Sequence, residues 1–534
     1  MSRKPATAAA SPMTAARLPG RPVAVVDIGA TGIRMTVAHI DAEGGVQVVD
    51  SLEQAAGIGK DTFTKGYIGK STIEECVTTF KSFRRILDEY GISEEDDVRV
   101  VATSAVREAA NRDAFIDRIS IATGFYIETI DDTEIARLTY QSIRSLMQAY
   151  PALDDQDHLL VVEVGGGTIE VLCLDKGNVS FSQSYRVGSL RLREMLEAFG
   201  APVTSRRNIL ESHIRRTIEQ IYQTIPDARK MTMIAMGGDI LFAARQLSPG
   251  AAGAAPVRLP VKGLAAFAEK VLSRSVNELV QKYRLTFPEA ETAGPALLAY
   301  LHFARTFKRK EVLVTDISLR HGLLIEKAAH GAWVDMFKEQ IIRSALEIGA
   351  KYRNDEAHAT HVAGLCDIFF EALADEHRLK PWNGVLLHVA ALMHDMGLYV
   401  STRSHHKHSQ YLIQNSEIFG LSRREILLVA LAARYHRKAP PKPEHEEYAA
   451  LDRDGRMAVT KLSAILRMAD ALDRSHSQRV QVVSCGLENG SFAVTVDTID
   501  DLALEQMAIR AKGTMFEDVY GMKMVLRQKW RSAA

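Results

Sequence analysis

Twice in this chain a β-branched run ends in an acid, one residue and a glycine, passes through a turn of small residues, and resumes as a second apolar run. Val23 to Ile28 closes on Asp27-Ile28-Gly29, turns through Ala30-Thr31-Gly32, and continues as Met35 to Ile40. Leu159 to Val164 closes on Glu163-Val164-Gly165, turns through Gly166-Gly167-Thr168, and continues as Ile169 to Leu174. Both second runs reach turn chemistry (Asp41 to Gly45; Asp175 to Asn178) and then a third strand-like segment. Sliding position 27 onto position 163 superposes the acids, the turns and both hairpin strands. A repeat this long implies two sister α/β domains, not a solenoid of short units. Two unrelated hairpins would be the alternative.

Strands that end in acid-x-Gly leave several backbone N–H groups pointing into one hollow, which binds phosphate oxygens without any side chain. Gly29, Ala30, Thr31 and Gly32 would form one hollow, and Gly165, Gly166, Gly167 and Thr168 the other. Asp27 and Glu163 are expected at the rim, holding Mg2+ through water. A third strand, Met231 to Met236, runs into Gly237-Gly238-Asp239, a further phosphate or nucleotide turn or an ordinary one. Val101 to Asn111 reads as a strand entering a helix, with Arg107 near the helix start as an anion contact or a surface ion pair.

Lys plus Arg and Asp plus Glu are both 66, so a zero formal charge argues against a general nucleic-acid or membrane-surface binder. Four scattered cysteines without a CxxC pair point to reduced thiols and a cytoplasmic protein. No apolar run reaches the roughly 18 residues of a membrane span. The expected organisation is a disordered tail (1–21), an N-terminal ribonuclease-H-like lobe (22–145), a second such lobe (146–330), a helical domain (331–480) and a small α+β domain (481–534). Ser71 to Glu74 reads as a capping box, and Ser344 to Ala374 and Gly384 to Met396 as helices.

The segments VVDIGATGIR (25–34), ATSAVREAANRDAF (102–115), IDDTEIARLTY (130–140), VVEVGGGTIEV (161–171), YRVGSLRL (185–192), MGGDI (236–240) and SLRHGLL (318–324) resemble, in order, the exopolyphosphatases and guanosine pentaphosphate phosphohydrolases. That resemblance implies the sugar-kinase, actin and heat-shock-chaperone fold. It also implies Mg2+-dependent removal of the terminal phosphate from inorganic polyphosphate or guanosine pentaphosphate, by a homodimer. The Glu of Glu-x-Ala-Arg, the base in such enzymes, falls on Glu134; otherwise Glu134 would be a helix acid paired with Arg137. Metal-managing acids fall on Asp27, Glu163 and Glu170. The chain departs from the family where Ser-Asn-Ser becomes Ala30-Thr31-Gly32, where Asp becomes Glu163, and where Gly-Gly-Thr becomes Gly237-Gly238-Asp239. Each change weakens phosphate contact, so a weakly active polyphosphate or nucleotide sensor is the alternative from another class.

In the histidine-rich half, His358, the doublet His394-Asp395 and Asp470 follow the order of the metal quartet in the HD phosphohydrolase superfamily, which they resemble. His408 and His436 fall where two-metal members carry further ligands. Mn2+ or another divalent metal is the ion such a set implies. His361 and His388 read as core or interface histidines, and 403–408 and 434–438 as basic strips.

Overall fold

The computed structural model describes residues 20–92, 97–154, 158–198, 203–225, 231–249, 256–328, 333–497 and 501–529. The expected tail, 1–21, lies almost wholly outside them. The chain divides into two compact units, residues up to 130 with 138–330, and residues 131–137 with those from 331 on.

The first unit holds two sheets. β1 (Arg21–Ile28), β2 (Gly32–Ile40), β3 (Val46–Ala55), β4 (Val98–Ala102) and β5 (Ile127–Thr129) are ordered β3-β2-β1-β4-β5. The first three form an antiparallel meander, and β4 and β5 join parallel after helical crossovers. The second sheet has β6 (His158–Val164), β7 (Ile169–Asp175), β8 (Asn178–Tyr185), β9 (Thr232–Met236), β10 (Val257–Pro260) and β11 (Glu311–Val314). Its order, β10-β11-β9-β6-β7-β8, repeats the first sheet element for element and adds β10 at one edge. The repeat extends to register: Asp27 faces Arg34 across β1–β2, and Glu163 faces Glu170 across β6–β7, each residue 136 positions from its counterpart. β1 and β6 are central and buried on both faces, which is why they read as unbroken apolar runs.

The helix after Ile68 begins at Lys70 with Gly69 as its cap, so the Ser71 capping box does not form. Thr72 donates instead to Asp61 at 2.6 Å, drawn there because Asp61 also accepts from the Gly69 N–H.

In the second unit, helices Trp333–Lys351, Glu356–Ala372, Trp382–Met393, His405–Gln414, Arg423–Arg434 and Arg453–Leu472 pack together. The expected helix over 344–374 is broken at Arg353, whose φ is +51°, and restarts under Asp355, an N-cap that accepts the His358 N–H. The helix expected to reach 396 ends at Met393, so His394 is its C-cap and Asp395 lies beyond it. A three-stranded sheet follows: β12 (Val482–Glu488), β13 (Ser491–Val496) and β14 (Lys523–Gln528), ordered β12-β13-β14. Phe492 of β13 meets Phe369 edge-on at 5.5 Å, fixing sheet to helix. No described helix is long and apolar enough to cross a membrane.

Candidate active site

The two glycine turns are built alike. Gly29 N–H donates to the Gly32 carbonyl at 3.0 Å, and Gly165 N–H to the Thr168 carbonyl at 2.9 Å. The carbonyls inside each turn are taken by the start of a helix: Gly59 N–H holds Ala30, while Ser189 and Arg191 N–H hold Gly165 and Gly166. The N–H groups of Ala30, Thr31, Gly166 and Gly167 donate to no backbone carbonyl among the described residues, which leaves them as anion donors. The turns also touch. A Cβ at position 166 would stand 3.0 Å from the Ala30 Cβ, and one at position 188 only 2.4 Å from the Gly167 carbonyl carbon. Glycine at 188 is therefore required by close approach, and a side chain at 166 would press on Ala30.

Acids gather at the strand ends. Asp27 is buried, 8% exposed, and not at a rim. Arg320 and Arg34 bring Nη1 atoms to 3.6 and 4.0 Å of its carboxylate. Burial outweighs those guanidiniums and raises its pKa. Glu163 is pushed up to about 7 by burial and by the charge of Asp27. Asp239, in the first turn of helix Gly238–Leu247, is likewise raised to about 7 by burial, although Thr292 donates to it at 3.2 Å. Glu53 pairs with Arg34 at 2.7 Å. Tyr300 ties the region together: its oxygen accepts the Val164 N–H at 2.9 Å and its hydroxyl donates to the Met236 carbonyl. Gly237 adopts φ +112°, and a Cβ there would stand 3.1 Å from that hydroxyl and 3.8 Å from the Glu163 side chain. Glu170 accepts from Ser184 at 2.9 Å, in the place where the first sheet has Arg34.

Asp27, Glu163, Asp239 and Glu53 thus face two guanidiniums, leaving two negative charges over when all are ionised. An all-oxygen donor set with that surplus fits a hard divalent cation. The structure therefore brings Asp27 and Glu163 together with both turns. Arg107 donates to the Ile130 carbonyl at 2.6 Å. Arg191 holds the second turn, donating to the Gly167 carbonyl at 2.9 Å and to Glu108 at 2.9 and 3.0 Å, with its guanidinium 4.0 Å over Phe63. Sequence reasoning assigned no role to Arg34, Arg320, Glu53, Arg191 or Tyr300. Arg34 was findable as the hairpin partner of Asp27; the others are distant in the chain and carry no local signal.

Glu134 sits in the first turn of helix Asp132–Ala149, and its N–H donates to Asp131 at 2.9 Å. Both its carboxylate oxygens accept from Arg137, at 2.7 and 2.6 Å. The segment 131–137 belongs with the second unit.

Within that unit, His358, His394, Asp395, His436 and Asp470 converge, and His405 joins them. His408 does not. Helix His405–Gln414 buries residues 405, 406, 409, 410 and 413, so its turn period carries position 408 off the buried face. Burial pushes His436 down to about 3. Burial works against ionisation of Asp395 and Asp470, yet the surrounding imidazoles, and Lys512 at Asp470, hold both well below the usual carboxylate range.

Comparison with known proteins agrees with this architecture. The sequence profile of the Ppx/GppA phosphatase family matches residues 36–330, and that of Ppx/GppA phosphatase, domain III, matches 342–511. A guanosine-5'-triphosphate,3'-diphosphate pyrophosphatase of Photobacterium profundum is 21% identical over 461 residues, covering 83% of this chain and 86% of that protein. A protein of the same name from Vibrio atlanticus is 22% identical, with the same coverage. The crystal structure of an exopolyphosphatase from Cytophaga hutchinsonii aligns with a TM-score of 0.52 at 21% identity, over 58% of this chain and 98% of that one. Two sheets of one topology, joined at matched acid-glycine turns, are thus an instance of a known arrangement, and the chain belongs to the Ppx/GppA phosphatase family.

Proposed function

We propose that this chain is a phosphoanhydride hydrolase that removes the terminal phosphate of inorganic polyphosphate, in the cleft between the two sheet-based lobes of its first unit. The contact of two identically closed turns, each two residues after an acid near a strand end, carries the proposal. Unpaired amides at Ala30, Thr31, Gly166 and Gly167 would hold the phosphate oxygens, with Gly237 and Gly238 at the start of helix Gly238–Leu247. Asp27 and Glu163, with Glu170 beside them, would hold a divalent cation, Mg2+ by the nature of the donors, and such an ion neutralises phosphate charge. Arg34 and Arg320 keep Asp27 oriented. Glu134 is the base in this proposal, as the family resemblance implies: Arg137 fixes its carboxylate, which would orient a water and take its proton. Phosphoryl transfer depends mainly on positioning and charge, which suits a site made largely of backbone.

Guanosine pentaphosphate is the second substrate considered, because the relatives that match across most of the chain carry that activity in their names. The deciding measurement is phosphate release from each substrate, with and without Mg2+. Glu134→Gln is expected to lower release at least a hundredfold while leaving polyphosphate binding in place. Unchanged release would remove Glu134 as the base, and binding without any release by the native chain would favour a sensor.

A further inference from the structure

We propose that the second lobe of the first unit holds a separate anion site, built for a short run of linked phosphates, at the strand ends opposite the glycine turns. It does not rest on the chemistry proposed for the cleft.

The fold places this site. β6, β9 and β11 run parallel, and β6 and β9 deliver their last residues to Gly165 and Gly237. Their first residues therefore lie at the other end of the sheet. Thr232, which opens β9, is about 16 Å along the strand from Gly237 at the usual rise per residue. A cavity of about 370 Å³ lies there, lined on one side by Thr232 and Met233 of β9 and Leu313 of β11. That volume is in the range of small-molecule sites.

Its remaining wall is basic. Lys308, Arg309 and Lys310 line it in succession, with Arg258 from β10. Glu311 is the one acid among the described lining residues, and it is paired with Arg258, so it answers neither lysine. Lys308 and Lys310 are exposed and take part in no ion pair among the described residues. Arg309 donates to the carbonyls of Phe307 and Met231, both at 2.7 Å, which fixes the plane of its guanidinium.

The sister lobe shows that the repeated fold does not require these charges. A cavity of about 310 Å³ occupies the same place there, beside the starts of β4 and β5. Its cations are engaged internally. Arg99 pairs with Glu128 at 3.1 Å and with Glu326 at 2.6 Å, and Arg84 lies 4.1 Å over the Phe125 ring. The contrast reaches one backbone position. Each cavity includes the residue in left-handed backbone just past the helix that leads into the outer parallel strand: Gly124 at φ +73° in the first lobe, Lys308 at φ +55° in the second. Glycine adopts that conformation freely, and lysine only against steric resistance. The second lobe thus has a cation where its sister has the residue the backbone favours.

Lysine meets phosphate as a point charge and arginine as a planar fork. Basic side chains spread around one cavity outnumber the contacts of a single phosphate, whereas linked phosphates offer oxygens to each. No aromatic ring is among the described lining residues, so a nucleobase finds no stacking surface there. The occupant is the phosphate chain itself, free or as the tail of a nucleotide.

Lysine acetylation of the full-length protein, read by mass spectrometry in Mg2+-free buffer of constant ionic strength, tests this. Tripolyphosphate should slow acetylation of Lys308 and Lys310 by about fivefold or more, and leave Lys270, exposed on the same lobe outside the cavity, unchanged. Orthophosphate should protect about tenfold more weakly. Guanosine triphosphate separates the two sources: protection equal to that by tripolyphosphate admits a nucleotide tail, and none restricts the pocket to free chains. In equilibrium dialysis, Lys308→Gly combined with Lys310→Gln should bind one tripolyphosphate fewer per chain than the native protein, while phosphate release at saturating polyphosphate stays unchanged. Unprotected lysines, or equal protection by orthophosphate, would overturn the site. Guanosine triphosphate protecting more than tenfold better than tripolyphosphate would overturn the phosphate chain as the ligand. So would a double variant that loses thermal stability but no bound tripolyphosphate, the lysines then serving only the C-terminal dipole of helix Phe287–Thr306.

Discussion

At the scale of single residues, Asp239 shows how position changes the meaning of a charge. In sequence it stands where the family carries threonine, and reads as a negative group obstructing phosphate. In the structure it is a partly covered helix-start acid with a Thr292 donor and Arg34 nearby, raised to about 7 mainly by burial. A carboxyl whose folded pKa lies above its unfolded value of 3.8 contributes most at low pH. That contribution is lost as pH rises through the window from about 4 to about 7. Asp239→Asn should therefore be more stable than the native chain at pH 8, by on the order of 1 kcal/mol, with the difference shrinking toward pH 4. Urea midpoints in chelator would measure it. Equal midpoints at pH 8 would mean that this carboxyl ionises without penalty. In Mg2+ the gap should narrow, since a bound cation would relieve the ionised form.

At the scale of elements, what was legible followed local chemistry, and what was not depended on distant partners. β1 and β6 announced themselves as apolar runs because both faces are covered, and the paired turns because glycine and acid recur at one spacing. The capping box at Ser71 misled because Asp61, ten residues upstream, recruits Thr72 and the Gly69 amide. The break at Arg353 was hidden, since helix-compatible residues flank it and Asn354 is secured by the carbonyls of Gly349 and Leu392. Sequence alone favours His408 over His405, because the helix start at Ser404, in left-handed backbone, leaves no strong local mark. The same locality makes a prediction about the turns. Gly188 lies 2.4 Å, at its would-be Cβ, from backbone atoms of both Gly167 and Thr168, none of which can yield like a flexible side chain. Gly188→Ala should abolish phosphate release and lower thermal stability. Gly177→Ala, a control at positive φ with open space around it, should lower stability by about 1 kcal/mol without changing release. Equal loss of release in both would show that backbone strain, not turn packing, is what matters.

At the scale of the whole molecule, the duplication supplies two scaffolds with one geometry, and later substitution gives them different charges. Arg34 in the first sheet is matched by Glu170 in the second, so one acid is neutralised across its hairpin while the other faces a second acid. Such a pair of lobes is useful only if the turns stay in contact, and few polar links among the described residues join them there. Arg191 is the clearest: from the second lobe it donates to Glu108 of the first, to the Gly167 carbonyl of its own turn, and stacks over Phe63. Its ion pair is mostly shielded, with side-chain exposures of 21% and 17%, so it should contribute more than an open surface pair. Arg191→Ala and Glu108→Ala should each lower kcat. Their double-mutant cycle should show coupling of about 1–2 kcal/mol in urea unfolding, because both sides of one contact are being removed. Arg191→Lys should restore charge but not the forked contact with Glu108 and Gly167, and should recover less than half of the lost rate. Additive effects of the two alanine variants would show that packing of Ala30 on Gly166 holds the lobes without this clamp. The expected coupling would instead make phosphate affinity fall together with kcat, as it must when the amide donors of the two turns no longer share one fixed separation.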